Sequence, residues 1–336
     1  MKQLTLPITF SQNDPRWKNS PLGTKGTIVV DIYYFFYKLL WKKFGLRRGQ
    51  GILLDLLLLI VGDSEYSIAV EDSRLFRGDL KNIRYRALFW NRVHEPLETQ
   101  VFKNLVRAGE VVFDVGANIG WYTTLAGKLV DDGKVYAFEP IDVVASELRK
   151  NIGLNHLDNV AVQQIALSDR SGFGCIWFSE ENWGLSSLTQ RNSQKPIRRC
   201  IELKTLDHWV RENSIETVTL IKCDIEGAEI LFLRGATETV KHFQPIILLE
   251  LNTPALHNFG FEPSDLLEIL HECGYDTYAI TSDVRKTLVL ERLCTKTTSI
   301  KEINVLAAPR HNRRLYNRCL GVIESQKIYS RSRRCG

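Results

Sequence analysis

The chain has 336 residues, of which 44% are hydrophobic and 25% charged, with a formal net charge of +5. That is the make-up of a soluble globular protein, with room for one α/β domain of ordinary size plus appendages. The charge is uneven: Arg310, Arg313, Arg314, Arg318, Lys327, Arg331, Arg333 and Arg334 face Glu324 alone near the C-terminus, so the rest of the chain is slightly acidic. A body of that sign argues against nucleic acid as the main substrate. Seven cysteines without a C-x-x-C pair read as reduced thiols of a cytoplasmic protein and exclude a zinc site of the usual spacing.

Residues 1–27 are polar, proline-bearing and without the pattern of a cleavable signal. Residues 28–61 are strongly apolar, from Ile32-Tyr33-Tyr34-Phe35-Phe36-Tyr37 to Leu56-Leu57-Leu58-Leu59-Ile60-Val61, but charges at Asp31, Lys38 and Asp55 keep every run too short to span a bilayer. They predict an N-terminal helical extension over 1–63. It packs on the core or on a second copy of the chain, or lies on a membrane surface beside Lys42, Lys43, Arg47 and Arg48. Residues 64–90 alternate as short strands with a turn at Arg77-Gly78-Asp79, and Glu95-Pro96-Leu97-Glu98-Thr99 opens a helix to Arg107.

Val111-Val112-Phe113-Asp114-Val115-Gly116-Ala117-Asn118-Ile119-Gly120 is the most informative run in the chain. An apolar strand ends in an acid, followed by a small-residue turn and a helix start, the form of a nucleotide-type pocket at a strand's carboxyl end. Asn118 fills the middle glycine position of G-x-G-x-x-G, so the turn is not built for a dinucleotide. Asp114 ahead of it suits a nucleoside that carries an amino acid. The next strand, Lys134-Val135-Tyr136-Ala137-Phe138-Glu139-Pro140, ends in an acid where the ribose hydroxyls of such a ligand would lie.

Beyond it, strands at 111–115, 134–138, 160–165, 218–223 and 245–250 alternate with helices near 121–130, 142–154, 226–234, 236–242 and 263–273. The alternation predicts parallel strands joined by right-handed crossovers. Tyr275–Thr281 and Glu302–Ala307 would close the sheet as an edge hairpin. Between the third and fourth parallel strands, Cys175–Phe178 and Cys200–Lys204 would pair and flank a polar loop, Glu180–Pro196, placed as a lid or as a plain surface loop. The segment beyond 310 reads as a basic tail, solvated or drawn to anionic lipid.

Several of these segments together resemble the FkbM family of S-adenosylmethionine-dependent methyltransferases. The resemblance rests on Asp114–Tyr122, Phe138-Glu139-Pro140, Ala166-Leu167-Ser168-Asp169, Lys204-Thr205-Leu206-Asp207 and Ile221-Lys222-Cys223-Asp224-Ile225-Glu226-Gly227-Ala228-Glu229. The last has the family form K-x-D-x-E-G-x-E, with Cys223 where an aliphatic residue is usual. The match spans about 96–308, inside a methyltransferase domain drawn at 64–309, with 310–336 as the tail.

The resemblance implies a class I, Rossmann-like α/β fold with a mostly parallel seven-stranded sheet, helices on both faces and O-methylation of a sugar, glycolipid or hydroxylated natural product. S-adenosylmethionine would be held by Asp114, Gly116, Asn118 and Gly120 at its amino-acid end, Glu139 at the ribose, and Ser168 and Asp169 at the adenine. Asp224 is the candidate for acceptor chemistry, with Glu250 beside it. Glu226 and Glu229 stand in a first helical turn, where acids also serve as caps. Asp224, Glu250 and Asn252 could bind Mg2+, or the carboxylates could bind acceptor hydroxyls directly. His257 is a further candidate base. The readings left standing beside this one are a non-catalytic cofactor binder, a membrane-attached interaction protein on the same fold, and an NAD-dependent oxidoreductase.

Overall fold

A computed structural model describes residues 65–179, 182–187, 197–282, 288–294 and 301–325. The chain divides into two compact units, Met1–Val93 and His94–Gly336. The apolar segment 28–61 and the residues past 325 lie outside the described residues. Among the described residues, no helix is long and apolar enough to cross a membrane.

In the first unit, β1 (Glu65–Ala69) and β2 (Leu75–Asp79) form an antiparallel hairpin, followed by helix α1 (Ile83–Asn91). Two expectations change here. Arg77-Gly78-Asp79 is strand, paired to Ser67, Tyr66 and Glu65. The chain turns earlier, where the Asp72 carboxylate accepts from the main-chain N–H and the guanidinium of Arg74, which is fully buried. Residues 83–91 are helical because Asn82 caps them through the Arg84 N–H, and Tyr85, Leu88 and Phe89 are buried at helical spacing.

The second unit is a doubly wound α/β layer. After α2 (Pro96–Leu105) come β3 (Val111–Val115), α3 (Trp121–Leu129), β4 (Lys134–Phe138), α4 (Asp142–Leu154) and β5 (Val160–Gln163). A small second sheet follows, from β6 (Ala166–Leu167), β7 (Gly172–Ser179), β8 (Asn182–Ser187) and β9 (Ile197–Lys204). Then come α5 (Leu206–Glu212), β10 (Leu220–Cys223), α6 (Glu229–Arg234), α7 (Thr237–Phe243), β11 (Ile246–Asn252), α8 (Thr253–His257) and α9 (Pro263–Glu272). Strands β12 (Tyr275–Ser282), β13 (Leu288–Arg292) and β14 (Glu302–Pro309) precede α10 (Arg313–Ser325).

The main sheet runs β13-β12-β14-β11-β10-β3-β4-β5, with β5, β4, β3, β10 and β11 parallel. The closing hairpin is there, but β14 slots between β11 and β12, antiparallel to both. The sheet has eight strands where seven were expected, because β13 adds an antiparallel edge to β12. The strand order reverses between β3 and β10, so ligands are directed to the crevice beyond the carboxyl ends of those two strands. Apolar residues on both faces of β3, β10 and β11 are buried, as parallel central strands require.

The second sheet has the order β6-β9-β7-β8 and stacks Ile176, Phe178, Ile201 and Leu203 on Ile141 and Val144. Part of the expected 180–196 loop is strand β8, paired to β7 at Ser179↔Asn182 and Trp177↔Ser187. Lys204-Thr205-Leu206-Asp207 turns out to be a capping device. Thr205 caps α5 through the His208 N–H, and the Asp207 carboxylate accepts from the N–H groups of Glu238 and Thr239 in α7.

The basic segment after 310 is also not a tail over its first half. Leu315, Cys319 and Val322 form a buried stripe of α10, and Tyr316 donates to Asp276. Arg318 reaches inward to Glu110 (2.7 Å) and to the Leu105 carbonyl (2.9 Å), with both charged side chains nearly buried. Arg318→Met leaves the Glu110 carboxylate buried without its cation, which should cost about 3–5 kcal/mol of unfolding free energy in urea titration. A loss within about 0.5 kcal/mol, the range of ordinary surface changes, would place Arg318 outside the fold's support.

Candidate active site

The first half of the site is the turn between β3 and α3. The N–H groups of Gly116 and Ala117 both donate to the Phe138 carbonyl at 3.0 Å, which ties the turn to the end of β4. Gly116 has φ +83°, and a Cβ there would stand 1.9 Å from the Asp224 carbonyl oxygen. Glycine is therefore required twice over, by the left-handed backbone and by the approach of β10's exit. Asn118 also takes a left-handed conformation, φ 50°, and its side chain accepts from the Ile119 N–H. At Gly120 a Cβ would meet Leu148 at 2.6 Å, so this glycine seats α3 on α4.

Two buried acids face this turn. Asp114 accepts from the Thr123 hydroxyl, and burial pushes its carboxyl up to about 6 against the pull of Thr123 and Lys222. Glu139 accepts from the Ile141 N–H and the Asn118 N–H, both at 3.0 Å. Burial still dominates and raises it to about 7. A carboxylate has about four lone-pair positions, so two remain for a ligand. Ser168 is buried, with its hydroxyl on Asp169 (3.2 Å), and Asp169 also meets exposed Arg170 at 3.4 Å. A Cβ on Gly235 would meet the Ser168 carbonyl oxygen at 1.9 Å, so the turn before α7 fixes this pair.

The second half lies beyond β10 and β11. Asp224 follows β10, donates its N–H to the Val115 carbonyl and leaves its side chain 30% exposed, the most open of these acids. The helix expected from 226 starts three residues later. Glu226 (φ 57°) and Gly227 (φ 102°) turn the chain, and a Cβ on Gly227 would lie 2.6 Å from the Ala255 backbone. Glu229, buried and first in α6, accepts from the N–H groups of Ile225 and Gly227, so it is the brace of this turn. Its carboxyl is raised to about 7, again by burial first. Glu250 on β11 is pushed well above the carboxylate range by burial and by the charge of Asp224.

Two residues proposed from sequence have other partners. Asn252 caps α8, its side-chain oxygen accepting from the Ala255 N–H at 3.2 Å. His257 sits in α8 half-exposed, 3.0 Å from the exposed Glu262 carboxylate, so its ring is turned to the surface. A lone loop histidine carries no spacing signal that would have shown this. Among the described residues, no group of three or more His, Cys, Asp and Glu side chains has the arrangement of a metal site.

Sequence reasoning passed over the side of the pocket built by α2 and α3. The Tyr122 hydroxyl donates to Glu95 (2.7 Å), and the Trp121 indole N–H donates to Thr99 (2.8 Å). Asn304 on β14 donates to Glu98 at 3.2 Å. Lys222, only 2% exposed, extends its ammonium over the Tyr122 ring, 5.1 Å from its centre. The left-handed backbone of Glu95 (φ 43°) at the start of α2 is the local mark of a constrained position, but it is invisible in the sequence.

A doubly wound sheet with a reversed closing hairpin, and a nucleoside-type turn with strand-end acids at its switch point, is the architecture of the class I, Rossmann-like methyltransferase fold. The model of the methyltransferase FkbM domain matches residues 114–277. The 31-O-demethyl-FK506 methyltransferase FkbM of Streptomyces tacrolimicus is 38% identical over 182 residues, 46% of this chain and 68% of that protein. The 2-O-methyltransferase NoeI of Sinorhizobium fredii (strain NBRC 101917 / NGR234) is 30% identical over 159 residues; the match takes in 42% of this chain and 63% of that protein, just under two thirds of its length. The solved methyltransferase FkbM of Methylobacillus flagellatus KT is 15% identical with a TM-score of 0.36, covering 60% of this chain and 43% of that one. The chain belongs to the FkbM methyltransferase family.

The acids give the ligand-free site a distinctive pH response. Glu139 and Glu229 titrate near 7 against an ordinary 4.5, and Asp114 near 6 against 3.8. The folded chain takes up these protons before the unfolded chain does, so their contribution to stability grows as pH falls through 7 and is lost as pH rises through it. Melting curves between about pH 8 and pH 5 should therefore show a flatter pH dependence for Glu139→Gln than for wild type. Identical slopes would mean that Glu139 is not buried as a titrating acid.

Proposed function

We propose that the chain is an S-adenosylmethionine-dependent O-methyltransferase acting on a hydroxyl of a sugar, glycolipid or hydroxylated natural product. The observation that carries this reading is the junction at Gly116, where the nucleoside turn and the Asp224 strand end touch. Donor and acceptor groups are thereby set on either side of one contact. S-adenosylmethionine, when bound, supplies a methyl group on a sulfonium whose departure leaves a neutral thioether. Glu139, with two lone-pair positions left, fits a ribose diol. Asp114 and the 116–120 turn fit the amino-acid end, and Ser168 and Asp169 fit the adenine.

On the acceptor side, an alcohol is scarcely ionised at neutral pH, so a base must take its proton as the new bond forms. Asp224 fits that role: it is the acid at the junction whose side chain stands partly in solvent. Burial and the charge of Asp224 favour the protonated form of Glu250 beside it, which can donate a hydrogen bond to the acceptor. Trp121 and Tyr122 are buried and pinned by Thr99 and Glu95, which makes this side of the site rigid. O-methyl transfer is also in the names of two relatives, FkbM and NoeI. The donor set does not fit Mg2+: Asn252 is spent as a helix cap, and an ammonium already faces Asp224 at 3.8 Å.

Calorimetry should record S-adenosylhomocysteine binding and no NAD binding, and Glu139→Ala should weaken it by about 1–3 kcal/mol, the loss of hydrogen bonds to a charged group. Tight NAD binding, or unchanged affinity in the variant, would refute the donor assignment. For whichever hydroxylated acceptor the wild type methylates, Asp224→Asn should lower turnover about a hundredfold or more while S-adenosylhomocysteine affinity holds. Turnover near wild type would remove Asp224 as the base.

A further inference from the structure

Lys222 is the least expected residue of the site. It lies on β10 between Asp114 of β3 and Leu248 of β11 in register, in the middle of the parallel sheet. Its side chain is 2% exposed, and its ammonium has no hydrogen-bond partner. Burying such an ion without hydrogen bonds costs several kcal/mol and is retained only where charge is useful. The surroundings supply the opposite charge at one remove: Asp224 at 3.8 Å, with Glu95 acting over a longer distance. The Tyr122 ring, held by Glu95, lies beneath it and adds a cation–π contact. The buried ammonium thus keeps unused N–H groups beside the acid at the exit of β10.

We propose that the Lys222 ammonium is the resident cation of the acceptor site, standing where a divalent ion would otherwise bridge Asp224 and Glu250, so that transfer needs no metal. This rests on the methyl-transfer reading and deepens it. The positive charge orients Asp224 and favours the acceptor oxygen as it gains negative character. The O–H proton passes to Asp224 and the oxygen's electron pair forms the bond to the methyl carbon. The carbon–sulfur pair returns to sulfur, and the ammonium keeps all its protons. Lys222 acts through Asp224 and is a positioning residue.

The arrangement has a signature that requires neither donor nor acceptor. A carboxylate already faced by a fixed ammonium has little use for a second cation; without the ammonium, Asp224 together with Glu250, whose proton a divalent ion displaces, becomes a site for one. Mn2+ titrated into the full chain and followed by electron paramagnetic resonance should keep its free-ion signal at the Asp224 site of the wild type. Lys222→Met, similar in length and uncharged, should bind about one equivalent, and adding Asp224→Asn should abolish that binding. Mn2+ binding by the wild type that Asp224→Asn removes would overturn the proposal, as would a folded Lys222→Met that binds none. Should Lys222→Met fail to fold, the comparison of wild type with Asp224→Asn still decides. S-adenosylhomocysteine binding is read separately, so failure of the donor assignment cannot be mistaken for failure of this one.

Discussion

The contact between Gly116 and the carbonyl of Asp224 is the constraint on which the site depends. Two central parallel strands, β3 and β10, leave the sheet side by side, and their exits turn in opposite directions at the switch point. Any side chain at 116 would collide with the Asp224 backbone, so the two turns close on each other only through a glycine. From that contact the turn runs to Asn118 and Glu139 on one side and to Ile225, Gly227 and Glu229 on the other. Moving either exit would disturb both halves, so donor and acceptor geometry are held by one piece of backbone.

Around that contact the fold concentrates buried charge. Asp114, Glu139, Glu229 and Glu250 are all acids raised by burial, against one buried lysine. Their environments separate their tasks. Glu139 and Glu229 accept main-chain N–H groups and brace turns. Glu250 is pushed toward its neutral form by burial and by Asp224. Asp224 keeps its side chain partly in solvent beside an ammonium. Sets of acids whose surroundings push them apart in this way are the usual mark of assigned acid and base roles. These costly groups stand at the carboxyl ends of the strands, directly after the core residues Phe113 and Phe138, so the packing that stabilises the fold also fixes where the acids sit.

Much of this was legible in the sequence, for local reasons. The glycine turn, the acid after β4 and the alternation of strands and helices are written in short, contiguous patterns. The helix start at 226 was misplaced because Glu226 and Gly227 look like a first helical turn, whereas the Ala255 backbone, distant in sequence, fixes them in left-handed geometry. The basic segment after 310 looked solvated because its charges hide the Leu315, Cys319 and Val322 stripe, and because the partner of Arg318 is Glu110, two hundred residues earlier. In the sequence Lys222 is only one member of the K-x-D-x-E-G-x-E run. Its burial and its unsatisfied N–H groups follow from the sheet order, which no single segment encodes.

The central claim is that one contact sets a nucleoside against an acceptor acid. A crystal structure of the full chain with S-adenosylhomocysteine tests it most directly. The account predicts ribose hydroxyls within hydrogen-bonding distance of Glu139, the thioether sulfur facing Asp224 across the Gly116 junction, and the Lys222 ammonium in place beside that acid. A nucleoside seated away from Glu139, or a thioether turned from Asp224 with Lys222 displaced by a metal ion, would contradict it.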